Sequence, residues 1–191
     1  MPRLQFIVAS TRPGRVGPAV AAWAAEEARR HGGFEVEVVD LAEIDLPFFD
    51  EPEHPSSGTY VHQHTKDWSA TVSRADAFVF VMPEYNFSFT APLKNAIDFL
   101  YQEWQYKPVG FVSYANGSAG LRAVQGIKQV VTTLKMTPVT EAVPIHWIGQ
   151  RIDADGVFQP AEGMDEAAKS MFDELLRVSN ALAPLRATAQ D

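Results

Sequence analysis

The sequence predicts an α/β protein built on a parallel sheet. Two observations carry this: short apolar runs alternate with helix-patterned segments along the whole chain, and no repeat, low-complexity stretch or linker interrupts them. A third is size, since 191 residues with 46% apolar content suffice for one domain, 1–191, with a full core.

The elements follow in order. "RLQFIVA" (3–9) reads as a buried strand. "GPAVAAWAAEEARRHGG" (17–33) reads as a helix, with Pro18 in its first turn, Gly32 and Gly33 as its stop, and Glu26 and Arg30 four apart. Its alanines suit close packing on a sheet. "FEVEVVDL" (34–41) alternates and reads as the second strand. Residues 42–61, rich in Pro, acids and Ser, read as a long connection. "HQHTKDWSATVSRA" (62–75) reads as a helix, and "DAFVFVMP" (76–83) is the strongest buried strand. "APLKNAIDFLYQ" (91–102) places Leu93, Ile97 and Leu100 on one helical face. "KPVGFVSYA" (107–115) reads as strand four. "GLRAVQGIKQVVTTLK" (120–135) has Leu121, Val124, Ile127, Val131 and Leu134 at helical spacing, and "TPVTEAVPIHW" (137–147) carries a fifth, shorter strand. "MDEAAKSMFDELLRVSNALAPL" (164–185) closes the chain as an amphipathic helix ending near Pro184. Five strands with helices between them fit a flavodoxin-like three-layer sandwich with strand order 2-1-3-4-5. In such sheets ligands bind beyond the carboxyl ends of the strands.

Composition narrows the function. Cysteine is absent, which excludes disulfides and thiolate metal sites. The N-terminal apolar run is too short for a signal peptide and no segment is long enough to span a bilayer, so a soluble cytoplasmic protein is expected. A net charge of −8 argues against nucleic acid and anionic membranes as partners. Charge is uneven, however. No acid precedes Glu26, whereas Arg3, Arg12 and Arg15 do; none lies between Glu103 and Glu141, whereas Lys107, Arg122, Lys128 and Lys135 do. These stretches mark candidate anion sites, the second a hint of a site for an extra phosphate.

Three loops fall on the predicted ligand edge. The first, "ASTRPGRVG", offers the hydroxyls of Ser10 and Thr11, the forked donors of Arg12 and Arg15, and a helix N-terminus at Val16 and Gly17. It matches neither G-x-G-x-x-G nor G-x-x-x-x-G-K-[ST], and suits a terminal phosphomonoester better than a Mg-triphosphate. The second, "PEYNFSFTAPLKNAID", follows the buried strand with Pro83, Glu84, Tyr85, Asn86 and Phe87. Aromatics clustered at a strand end, where small polar residues are usual, can wall a flat apolar ring, with Asn86 reading its polar edge; Phe89 reads as a roof over the core. The third, "SYANGSAG", lets Ser113, Tyr114, Asn116 and Gly117 lie close against a planar group. Other patterns carry less. His54, His62 and His64 lack the spacing of a metal set, so no metal is expected. "NGSAG" is not G-x-S-x-G, and two N-x-S matches fall inside ligand loops.

With "ASTRPGRVG", "PEYNFSFTAPLKNAID" and "SYANGSAGLRA" in this spacing, the chain over roughly residues 3 to 150 resembles the NADPH-dependent FMN reductase family, which includes quinone, azo-dye and chromate reductases. The resemblance implies FMN as cofactor. Its phosphate would lie on Ser10, Thr11, Arg12, Arg15, Val16 and Gly17. Its isoalloxazine would be bordered by Pro83, Glu84, Tyr85, Asn86 and Phe87, and covered at the other edge by Ser113, Tyr114, Asn116 and Gly117. Arg15-Val16-Gly17 stands where relatives often carry Ser or Asn, and Asn116 where glycine is common. The implied activity is transfer of hydride from NADPH, with NADH a second candidate donor, through FMN to a quinone, azo compound, metal oxyanion or free flavin by ping-pong kinetics. Third-loop N–H groups would stabilise charge on the reduced ring. No side chain is assigned as a catalytic acid or base, and Glu84 is read as orienting its loop. A homodimer or homotetramer is implied, with the 48–64 loop (Phe48, Phe49, Tyr60) and the helix after Ala91 near the interface. A flavodoxin-type electron carrier without NADPH turnover is the alternative, and a non-flavin binding domain on the same fold is a third reading.

Overall fold

A computed structural model of the chain describes residues 1–188. Its elements run β1 (Arg3–Val8), α1 (Gly17–His31), β2 (Glu35–Asp40), α2 (Leu41–Ile44), α3 (Gln63–Ser73), β3 (Ala77–Pro83), α4 (Ala91–Asp98), β4 (Pro108–Tyr114), α5 (Leu121–Thr133), β5 (Thr137–Ile145) and α6 (Met164–Thr188). The five strands form one sheet of order β2-β1-β3-β4-β5, and every pairing is parallel. That is the flavodoxin-like arrangement expected from the alternation of elements.

The sheet is covered on both faces, and the strand alternation of period two shows how. On β3, Phe78, Phe80 and Met82 face one core with Trp68 of α3, Leu93 and Ile97 of α4, and Ile127 and Val131 of α5. Ala77, Val79 and Val81 face the other, with Ala21, Ala24, Ala25 and Ala28 of α1 and Met171, Phe172 and Leu175 of α6. The α1 alanines let that helix approach closely. Gly110 does the same for α6, since a Cβ there would sit 2.8 Å from Met171 Sδ.

Several expectations are corrected. The expected 42–61 connection is not irregular throughout: the four-residue α2 starts at Leu41, capped by the Asp40 carboxylate, and a 3₁₀ turn follows at Pro55–Ser57. Helix α4 ends at Asp98 rather than 102. The buried indoles of Trp68 and Trp104 donate to the carbonyls of Ala96 (2.8 Å) and Ile97 (3.2 Å), which occupies its last turn. β5 is not shorter than the others; it has nine residues, because a register shift opposite Val109–Phe111 adds length to an edge strand. α6 runs through Pro184 to Thr188. Arg186 anchors that last turn by donating to Tyr106 O (3.1 Å) and Ser179 O (3.2 Å) and pairing with Asp76.

In the 48–64 loop Phe48 is 88% exposed. Phe49 packs edge-on against Phe99, and the Tyr60 hydroxyl donates to Glu103 at 3.0 Å. No helix among the described residues is long and apolar enough to cross a membrane.

Candidate functional site

The first loop leaves β1 after Ala9, whose N–H extends the ladder to Val81 O (3.0 Å). Ser10 is buried, and its Oγ accepts from the Tyr114 hydroxyl of β4 at 3.2 Å. α1 begins directly over this pair. A Cβ on Gly17 would lie 2.4 Å from Ser10 Oγ and 2.9 Å from Tyr114 Oη, so only glycine lets the helix N-terminus come this near the sheet edge. Among the described residues, the N–H groups of Thr11, Arg12, Gly14, Val16 and Gly17 find no acceptor. A row of unsatisfied donors at a helix N-terminus is the chemistry of an anion cradle. Arg12 is exposed, and among the described residues its guanidinium donates to the Tyr85 hydroxyl (3.2 Å) and Pro13 O (3.4 Å). Arg15 is committed: its Nη1 donates to Asp40 Oδ1 at 2.6 Å and to Ser10 O at 2.8 Å. The hydrogen bond and charge of Asp40 hold its guanidinium above the ordinary arginine range.

The second loop is a tight hairpin. Tyr85 and Ser88 exchange both backbone hydrogen bonds (2.9 and 3.0 Å), and between them Asn86 (φ 50°) and Phe87 (φ 69°) both take left-handed backbone. Two positive-φ residues in a two-residue connection make a type I′ turn, a geometry that favours Asn first and Gly second. Phe87 therefore holds a conformation that costs a non-glycine residue about 1 kcal/mol or more. The residue is 68% exposed, and the Arg122 guanidinium lies 3.8 Å from the centre of its ring. Arg122, in the first turn of α5, also binds Glu84: Nε reaches Oε1 at 2.6 Å and the backbone N–H reaches Oε2 at 3.2 Å. Burial pushes the Glu84 carboxyl up, but hydrogen bonds from Arg122 and Ser118 outweigh it, and the group lies below the ordinary carboxylate range. Thr90 anchors the far end of the loop, donating to Ala9 O (2.7 Å) and capping α4 by accepting from Leu93 N–H. Phe89 packs against the core, as expected.

The third loop follows β4. Ser113 Oγ is buried and donates to Ala119 O at 2.8 Å. The N–H groups of Asn116, Gly117 and Ser118 have no acceptor among the described residues. The loop is held from behind by the chain after β5: Trp147 N–H donates to Asn116 O (3.0 Å), Ile148 N–H to Ala115 O (3.1 Å), and His146 Nδ1 lies 3.1 Å from Gly117 O. Burial pushes the Tyr114 phenol up to about 12.

Together the loops enclose a cleft of about 560 Å³ beyond the carboxyl ends of β1, β3 and β4. That is within the usual size of a small-ligand site. Of the residues expected there, Arg12, Arg15, Val16, Pro83, Glu84, Tyr85, Asn86, Phe87, Tyr114, Asn116 and Gly117 line it. Ser10 and Ser113 turn inward and Gly17 lies beneath, while Thr11 lines a neighbouring groove of about 400 Å³ with Leu41, Phe48 and Ala91. Sequence reasoning missed Ala115, Ser118, Arg122 and Ile148 as lining residues. Arg122 had a signal, standing in an acid-free stretch at a predicted helix start; Ile148 had none, since it arrives from β5. That stretch is not one anion site. α5 spans roughly 20 Å, at 1.5 Å per residue, and carries the chain from Arg122 at the cleft to Lys135 at the opposite edge of the sheet. No group of three His, Cys, Asp or Glu suited to a metal occurs among the described residues.

The family model for NADPH-dependent FMN reductase matches residues 2–148. The chain is 40% identical over 162 residues to an NAD(P)H-dependent FMN reductase of Schizosaccharomyces pombe, covering 84% of this chain and 80% of that one. It is 31% identical over 159 residues to an NAD(P)H:quinone oxidoreductase of Solanum tuberosum, covering 79% and 76%. Among solved structures, a flavoenzyme NAD(P)H:(acceptor) oxidoreductase of Paracoccus denitrificans shares the fold with a TM-score of 0.75 at 19% identity, covering 95% and 98% of the two chains.

Proposed function

The chain belongs to the NADPH-dependent FMN reductase family, and from that premise we propose that it holds FMN in the three-loop cleft and reduces a small acceptor with electrons from NADPH. One observation carries the reading. The cleft pairs a cradle of unsatisfied N–H groups and the carboxylate-free Arg12 at one end with an aromatic hairpin bearing Tyr85 and Phe87 at the other. That donor set fits a ligand with an anionic tail and a flat apolar head.

In this reading the N–H groups of Thr11, Arg12, Gly14, Val16 and Gly17 and the Arg12 guanidinium hold the terminal phosphate. Tyr85, Asn86 and Phe87 border the ring, with Pro83 at its base. The N–H groups of Asn116, Gly117 and Ser118 meet its polar edge, where fixed donors stabilise negative charge without reorganising. Bound there, FMN would supply the hydride chemistry between the nicotinamide and the acceptor. Glu84 stays ionised and paired with Arg122, so it positions the hairpin and moves no proton. The acceptor is of the quinone kind named for the potato relative. Exposed Phe48, beside the groove at Ala91, is the contact through which two copies associate; sedimentation of Phe48→Ser tests this, and an unchanged mass rules that contact out.

The visible spectrum of the purified protein tests the function. A yellow protein bleached by NADPH and recoloured by a quinone is expected, with parallel double-reciprocal lines. A colourless protein that cannot be loaded with FMN overturns the flavin reading. A yellow protein that NADPH leaves unbleached is an electron carrier instead.

A further inference from the structure

Arg15 and Arg12 occupy the same loop but stand in different environments. The Arg15 side chain is 19% exposed and the Asp40 side chain 13%, and they meet at 2.6 Å. Asp40 ends β2, opposite Val8 in the β1–β2 register, and its Oδ1 also accepts from Ala42 N–H (3.0 Å) to start α2. From the other side the same Nη1 of Arg15 binds the Ser10 carbonyl at 2.8 Å. Ser10 is tied in turn to Tyr114 of β4. A continuous chain of hydrogen bonds thus runs from the N-cap of α2, under the first loop, to the end of β4. Swinging Arg15 out to an anion would leave Asp40 as a mostly buried carboxylate with one backbone partner and would release the Ser10 carbonyl. Breaking a largely buried pair in this way is strongly unfavourable. Arg12 pays no such penalty, since it has no carboxylate partner among the described residues.

We propose that Arg15 is a positioning residue: clamped between Asp40 and the Ser10 carbonyl, it fixes the course of the 10–17 loop, so that the loop N–H groups and Arg12 alone grip the phosphate. Asp40 neutralises the Arg15 charge, so the cradle offers one free guanidinium and a helix N-terminus. That charge suits a single terminal phosphate. The proposal rests on the FMN reading of the same cleft.

The test titrates FMN and riboflavin into flavin-free protein and follows quenching of flavin fluorescence. Asp40→Asn separates the two roles by sign. A positioning Arg15 loses its anchor, and FMN affinity falls about tenfold. An Arg15 that is a phosphate ligand restrained by Asp40 is released, and FMN affinity rises. Tightened or unchanged FMN binding therefore overturns the proposal. Arg15→Gln supplies a second, independent readout. A positioning role lowers FMN affinity but leaves its salt dependence as in the wild type, whereas loss of a phosphate ligand flattens the salt dependence as Arg12→Ala does. Arg12→Ala is the control for the underlying reading. It should narrow the preference for FMN over riboflavin without erasing it, because the loop N–H groups remain; an unchanged preference overturns the role given to Arg12, and a wild type that binds no FMN, or does not prefer it to riboflavin, overturns the flavin assignment itself.

Discussion

Phe87 concentrates the unusual features of the cleft in one residue: an exposed aromatic ring, a left-handed backbone, and a guanidinium stacked on its face. Glycine would adopt φ 69° without strain. Replacing Phe87 with glycine relieves about 1–2 kcal/mol of left-handed strain. It also loses about 0.5–1 kcal/mol of cation–π attraction and adds roughly 0.5–1 kcal/mol of chain entropy to the unfolded state. These terms nearly cancel. Phe87→Gly is therefore expected to unfold within about 1 kcal/mol of the wild type, while its flavin affinity falls severalfold because one wall of the cleft is gone. Denaturant unfolding and flavin titration on the same preparation check both halves. A large loss of stability with unchanged flavin affinity would identify Phe87 as a structural anchor.

Among the elements, the end of the connection from β2 to α3 is fixed by a buried carboxylate. Glu51 is buried and accepts from Val61 N–H (2.8 Å) and His62 N–H (3.0 Å), which fixes the entry to α3. Burial pushes its carboxyl up, but hydrogen-bond donors including these two N–H groups outweigh it, and the group lies below its ordinary value of 4.5. A depressed folded value means that the contribution is complete above the unfolded pKa and is lost as pH falls through the folded one. Glu51→Gln should therefore destabilise the protein at neutral pH by about 1.5–3 kcal/mol, the range for hydrogen bonds to a charged group. The gap to wild type should close in acid; guanidinium midpoints at the two pH values measure it, and a constant gap would refute the charge-based account. Nothing in the order of residues 42–61 announced this hook, because it joins residues ten apart through backbone donors. What was legible had short-range causes. Apolar runs gave the strands, Gly32 stopped α1, and the strand-end position of "PEYNF" marked the aromatic hairpin. What was not legible depends on distant partners. The Trp68 and Trp104 indoles end α4 early, Arg186 carries α6 past Pro184, and Asp40 claims Arg15.

At the scale of the whole molecule, the two edges of the sheet do different work. The carboxyl edge leaves N–H groups unsatisfied around a cleft, while the amino edge is closed by buried charge. There Lys107, just before β4, is buried, and its Nζ donates to Val72 O (2.9 Å) and Ser73 O (3.1 Å) at the end of α3. Burial, with the nearby Arg186 charge, pushes its ammonium down to about 8 from 10.5. Between those two values the unfolded chain holds a proton that the folded chain has released. Stability then rises with pH across that window, by at most 1.4 kcal/mol per pH unit for one group (roughly). The phenols act in the opposite direction at higher pH. Burial raises Tyr114 to about 12 and also raises Tyr60, so above about pH 10 the unfolded chain loses those protons first and stability declines. Wild-type stability should therefore climb above about pH 8 and turn over near pH 10. Lys107→Met removes the titrating ammonium, so the climb should disappear while the decline remains. Urea midpoints across this range read the difference, and an undiminished climb in the variant would place its source elsewhere. FMN affinity measured on the same variant tests the separation of the edges. It should match the wild type, because the sheet between the edges is packed on both faces and, among the described residues, no contact of Lys107 reaches the loops that form the cleft.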